Sequence, residues 1–267
     1  MTFRDILEDR TRRELSLTVY ASTPQSDLVD RLELRSASVD ERVLPACGSD
    51  GFLVVREGGD FVTALDLEGV RSFLDPPRCP PWDDALVTVD YAIVLETFDD
   101  ALWMNLERSQ LVATTRIIEN KAARVGEGVL RAGLGRLSAL YVRTPIYERL
   151  ASETDLEIHA YGRPDWDPPR ISGTTVHPVD DDGGPEGGRD ADAGGDELGT
   201  DADWNGDRTA DGEIGRYRFV TYDGGSNEQQ ACALLAERRG ENSYAGFWTF
   251  DPAVVDELET YVERTYG

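Results

Sequence analysis

The chain has 267 residues, 52 of them acidic and 27 basic, for a formal net charge of -25, and all the basic residues but Lys121 are arginines. That length suits one large domain or two small ones with a substantial apolar core, while the acidic balance disfavours nucleic acid, whose phosphates bind clustered Lys and Arg. No apolar run approaches the ~20 residues of a membrane span, and the opening MTFRDILEDR is charged where a signal peptide is apolar, so a soluble, cytoplasmic chain is expected.

Thr2 is placed to cap a first helix with Phe3, Ile6 and Leu7 on one side, and LSLTVY, Leu15 to Tyr20, alternates like a half-buried strand. Arg10, Arg12 and Arg13, the one local basic cluster, read as a solvated turn. Thr23-Pro24 gives a cap and a first helical position leading into Leu28, Val29 and Leu32, and SVDERVL and FLVVRE read as the next two strands. Beyond the turn-rich DPPRCPPWDD, Leu111, Thr115, Ile118, Ala122, Val125 and Val129 recur at spacings of three and four. This is one helix face, which Gly126 and Gly128 should end, with VLRAGL extended after them. TPIYERLAS then reads as a short helix and DLEIHAYG as a strand.

Residues 180 to 213 hold 10 Asp, 3 Glu and 9 Gly in 34 positions, against two Arg. Such a segment cannot bury enough apolar surface to offset the entropy of ordering it, so a disordered acidic insertion is expected. Structure resumes with RYRFVTYD, ACALLAERR and YAGFWTF, separated by DGGSNEQQ and GENS, whose hairpin-loop composition predicts antiparallel neighbours. Asp251 caps a last helix, Pro252 opens it, and Val254, Val255, Leu258, Tyr261 and Val262 form its apolar stripe. The expected fold is a single α/β domain: a mixed sheet flanked by helices, with antiparallel C-terminal strands and a C-terminal helix. Residues 1–179 and 214–267 form parts of that one domain on either side of the 180–213 insertion.

Motifs for chemistry are sparse. Cys47, Cys79 and Cys232 have no C-x-x-C spacing and offer neither a disulfide framework nor a zinc site. The two histidines, His159 and His177, come without a G-x-S-x-G or cysteine nucleophile motif, so no catalytic triad is expected. Asp201 to Gly206, DADWNG, matches the first half of a calcium loop, but the twelfth position is Gly212 and Glu213 arrives one place late. The glycine-rich runs DGGPEGG and DAGGDELG lack the lysine and the strand-to-helix setting of a phosphate loop. No cofactor, metal ligand or catalytic residue is assigned.

Three stretches together resemble the DICT sensory domain, a family named for its occurrence beside diguanylate cyclases and two-component proteins. They are RIIENKAARVGEGVLRAGLGRLSAL (Arg116 to Leu140), DLEIHAYGRPDW (Asp155 to Trp166) and ACALLAERRGENSYAGFWTFDPAVVDEL (Ala231 to Leu258). The last is the most specific, since the ALLAE strand, a polar turn, GFWT and a DP helix start arrive in fixed order. The resemblance implies signal reception and hands over no catalytic residue; family members are often fused to output modules, and since this sequence shows no kinase or helix-turn-helix signature, output through a separate signalling protein such as a histidine kinase or regulator is expected.

Tyr244, Phe247, Trp248 and Phe250 lie on one strand, and rings of this size pack in cores by default. The sharper expectation is a small-molecule pocket drawn from Tyr244, Phe247 and Trp248 with His159 and Tyr161. The alternatives are a scaffolding protein without a ligand and an enzyme, the latter needing His159 bonded to an acid at a pocket mouth. The acidic, arginine-for-lysine composition suits a salt-rich archaeal cytoplasm, where screening shortens charge repulsion to roughly 3 Å at molar salt.

Overall fold

The alternation in LSLTVY puts Leu15, Leu17 and Val19 on one side of strand β1 (Leu15–Ala21), and all three are buried. The computed structural model describes residues 2–9, 14–34, 37–45, 51–76, 89–168, 170–180 and 212–267. A crossover through helix α2 (Ser26–Arg31) brings β2 (Ala37–Val43) parallel to β1, and β3 (Phe52–Glu57) lies antiparallel on its other side. Helix α2 starts later than Thr23-Pro24 predicts. The Thr23 hydroxyl accepts from the Gln25 side chain at 3.2 Å, and the first turn has no side-chain cap.

Gly58 and Gly59, both at positive φ, form the two-residue turn into β4 (Asp60–Asp66), which completes the sheet order β2-β1-β3-β4. Strand β4 escapes a reading of the sequence because only Leu65 of its seven residues is buried, so no alternation marks it. Asp66 then caps α3 (Leu67–Leu74), its carboxylate accepting from the Glu68 amide at 3.2 Å. This helix packs against α4 (Val89–Thr97).

The larger sheet has seven strands in the order β5-β11-β10-β9-β6-β7-β8. Strands β5 (Trp103–Leu106), β11 (Tyr244–Thr249), β10 (Cys232–Arg238), β9 (Tyr217–Tyr222) and β6 (Glu127–Arg136) run antiparallel to their neighbours. From β6 the pairing turns parallel through β7 (Asp155–Arg163) to β8 (Thr174–Pro178). This is the mixed α/β fold expected, and the segments on both flanks of the 180–213 stretch share one sheet. The N-terminal strands form a second sheet, joined to the first by a bridge between Leu34 and Trp103 and by a continuous buried core.

Helix α5 (Arg108–Val125) stops at Gly126, whose φ of 79° is the left-handed cap that glycine adopts without a Cβ penalty. Helix α6 (Leu140–Glu153) begins before TPIYERLAS and runs through Pro145, which stands on its exposed side and removes one ladder hydrogen bond. These two helices cover one face of the larger sheet, and α1 (Phe3–Asp9) and α8 (Pro252–Tyr266) cover the other. Asp251 caps α8 as expected, accepting from the Ala253 amide at 2.9 Å, and all five stripe residues are buried. Among the described residues no helix is long and apolar enough to cross a membrane.

Most of the acidic stretch, with Cys47, Cys79, the Arg10 to Arg13 cluster and the calcium-like DADWNG, lies outside the described residues. Glu213, assigned from composition to the insertion, belongs to the folded body. It opens the four-residue α7 (Glu213–Arg216) and accepts from the Phe3 amide at 2.9 Å, the Tyr266 hydroxyl at 2.6 Å and the Tyr261 hydroxyl. One carboxylate thus ties α1, α7 and α8 together, with the Phe3 ring packed on Tyr217, Phe219 and Tyr261. Glu213→Ala is expected to lower the unfolding free energy by about 2 kcal/mol, since hydrogen bonds to charged acceptors are the strong ones. Urea denaturation measures this, and a change under about 0.5 kcal/mol would show that the clasp adds nothing.

Candidate functional site

Strand alternation sends Phe247 to the α1/α8 side and Trp248 and Tyr244 to the α5/α6 side. The five residues expected to share a pocket are therefore divided between two faces of one sheet. Trp248 stacks on Trp103 with ring centroids 5.8 Å apart and meets Phe73 edge-on at 5.6 Å. Its indole Nε1 donates to the Leu95 carbonyl at 2.8 Å. Phe247 is fully buried beside Leu235 and Leu258. Both are core residues, which corrects the expected grouping, and of the five Tyr244 alone lines the cavity on the α5/α6 side.

That cavity, about 200 Å³, lies between α5, α6 and the sheet. Leu111, Leu134, Ile146 and Leu234 supply apolar wall, and four arginines, Arg108, Arg116, Arg143 and Arg218, line it as well. Among the described residues no Asp or Glu lines it. Glu119 stands behind the wall, its side chain 2% exposed, with both carboxylate oxygens accepting from Arg143 Nη1 at 2.9 Å. Burial pushes its carboxyl above the ordinary range against the pull of Arg143 and Arg116.

Arg218 owes its position to Gly135, at φ 75°, where an added Cβ would fall 1.7 Å from Arg218 Nη1. The same nitrogen donates to the Tyr217 carbonyl at 2.8 Å. Burial, joined by the like charges of Arg238, Arg108 and Arg136, pulls the Arg218 guanidinium down to about 10, with Tyr244 opposing.

The opposite face carries a polar network. The parallel register of β7 and β8 sets Tyr161 beside His177, and their rings stack at 4.4 Å with 10° between planes. His159 Nδ1 lies 2.9 Å from His177 Nε2, and His159 Nε2 lies 2.8 Å from Glu157 Oε1. An ionised carboxylate only accepts, so His159 Nε2–H donates to Glu157, and the roles of His159 Nδ1 and His177 Nε2 follow the tautomer of each ring. Burial, then the charges of His159 and Arg131, lowers the His177 pKa. His159 is thus bonded to an acid, as an enzyme reading requires, but on the face of the sheet away from the α5/α6 cavity.

Arg131 continues the network to α8, donating from Nη1 to Glu259 Oε1 at 3.0 Å and from Nη2 to Glu263. Thr221 donates to the same Glu259 oxygen at 3.0 Å. Burial pushes the Glu259 carboxyl up to about 7, while Arg131 and Thr221 pull it down and Asp223 and Glu263 add to the rise. A raised folded value means that Glu259's contribution to stability is complete below its ordinary 4.5 and is lost as pH rises through about 7. His177 acts with opposite sign, its contribution being lost as pH falls through its depressed value. Glu259→Gln isolates the first effect: the stability of the natural protein relative to this variant should fall by ~3 kcal/mol across that window. Chemical denaturation at stepped pH tests it, and a pH-independent difference would refute it.

The site was poorly marked in the sequence. Its arginines lie on α5, α6 and β9, with no shared spacing, and only the fold brings them to one wall. His177 carries no local signal for this network, because its pairing to β7 is a tertiary contact, although the chain has just two histidines and they meet.

No protein-family model matches the chain, and no curated protein does. Among solved structures, the crystal structure of polyphosphate kinase from Porphyromonas gingivalis matches with a TM-score of 0.35 and 10% identity. The match covers 98% of this chain and 47% of that one, so the chain spans about half its length.

Proposed function

We propose that this chain is a non-catalytic sensory domain of the DICT type, working in a salt-rich cytoplasm, which binds a small molecule and passes the signal to a separate protein. The observation that carries the reading is the cavity between α5, α6 and the sheet. Its walls come from the stretches that bear the family resemblance: Arg116, Leu134 and Ala139 from the first, Leu234 and Tyr244 from the third. A ligand there touches two helices and the sheet at once, so its differential affinity shifts the balance between helix positions, and a histidine kinase or regulator reads the shift.

The test is a thermal-shift screen of metabolites on the full chain in molar potassium chloride, run beside Thr115→Trp, which fills the cavity from α5. A ligand of this site raises the melting temperature of the natural protein by mass action and leaves the filled variant unmoved. If no compound does so and no signalling partner is retained on the purified chain, the scaffolding reading replaces this one.

A further inference from the structure

The cavity that supports the sensory reading also carries a statement about its ligand. A dry cavity of about 150 Å³ accommodates a benzene ring, so the 200 Å³ here matches a body of one ring with a small head group. Leu111, Leu134 and Ile146 suit the body. For the head, the wall offers Arg108 and Arg116 from α5 and Arg218 from β9, while Arg143 of α6 is held by Glu119. Guanidinium forks match carboxylate and phosphate oxygens in geometry as well as charge. In a chain of net charge -25, a wall whose lining among the described residues holds four arginines and no Asp or Glu is the reverse of the chain's overall composition. Like-charge crowding around Arg218, from Arg108, Arg136 and Arg238, is relieved by a negative charge placed among them.

We propose that the α5/α6 cavity binds a small organic anion, with a carboxylate or phosphate head held by Arg108, Arg116 and Arg218 and a single-ring or short apolar body against Leu111, Leu134 and Ile146. This rests on the sensory reading above and narrows it to one chemical class. It also gives the buried Glu119–Arg143 pair a role: Glu119 occupies Arg143 and keeps that side chain on the wall.

Calorimetric titration of the full chain in molar potassium chloride tests the assignment with three probes of one size: phenyl phosphate, phenylacetate and the neutral phenylacetamide. Saturable binding of one or both anions is expected, with the amide about tenfold weaker or more. Which anion binds better decides between the two head groups. Arg108→Gln changes an exposed side chain at the start of α5 and should leave the fold intact, and Arg218→Gln removes the half-buried cation of β9. Each should weaken the anions about tenfold and leave the amide unchanged. Equal binding of amide and anions, blocked by Thr115→Trp, would overturn the anion assignment and leave the pocket standing. Absence of binding by all three probes would overturn the anion assignment, and the pocket reading falls with it only if the metabolite screen is also blank. Anion binding that survives both arginine substitutions would put the anion elsewhere on the chain and sink the proposal.

Discussion

Trp248→Ala is expected to lower the unfolding free energy by about 4 kcal/mol, the range for deleting a large buried aromatic. The indole is 1% exposed and joins two parts of the molecule: it stacks on Trp103 of the edge strand β5, and it reaches Phe73 of α3 and the Leu95 carbonyl of α4. Truncation opens a void between the larger sheet and the N-terminal helices and takes away the donor that the Leu95 carbonyl has in the core. Trp248→Phe keeps most of the ring and forfeits the Nε1 hydrogen bond, so about 1 to 2 kcal/mol is expected for it. Urea titrations followed by circular dichroism in molar salt give both values. Because Trp248 lies outside the α5/α6 cavity, the Phe variant should bind phenyl phosphate like the natural protein. Loss of that binding at unchanged stability would return Trp248 to the ligand site.

Arg143→Ala carries a comparable cost for a different reason. Glu119 would keep its burial and lose the guanidinium that donates to both of its oxygens, and stranding a buried charge costs about 3 to 5 kcal/mol. In the natural protein burial already holds the Glu119 carboxyl above its ordinary value, against Arg143 and then Arg116. Removing Arg143 raises it further. Glu119 then contributes fully to stability below the ordinary carboxyl pKa and loses that contribution as pH rises through its folded value. The penalty of Arg143→Ala should therefore be small in acid and grow toward neutral pH. Pairing it with Glu119→Gln, which cannot ionise, should recover much of the loss, a coupling that a double-mutant cycle reads directly. A penalty constant with pH, or a double variant no better than Arg143→Ala, would show that stranded charge is not the cause.

Local signals were sufficient where one segment holds all the information. Asp251-Pro252 and the stripe from Val254 to Val262 define α8, because capping and 3.6-residue periodicity both lie inside its own residues. Gly126 marked the end of α5 for the same reason, and the three C-terminal strands followed from the hairpin-loop composition between them. Local signals failed at β4, whose residues barely enter the core, and at α4, where the exposed Ile93 blurs the face that Tyr91, Val94 and Leu95 bury. The aromatic pocket failed for want of one fact, which face of the sheet each ring meets.

By its own residues, then, the chain specifies a mixed α/β fold, the helix caps and hairpins of its C-terminal third, and an acidic, arginine-based composition. Tertiary structure alone decides that the strands part into two sheets, that His159 meets His177, and that arginines from α5, α6 and β9 surround one cavity. The division is physical: backbone conformation and capping depend on neighbours a few residues away, whereas a cavity and its charge are made by side chains that only long-range packing brings together.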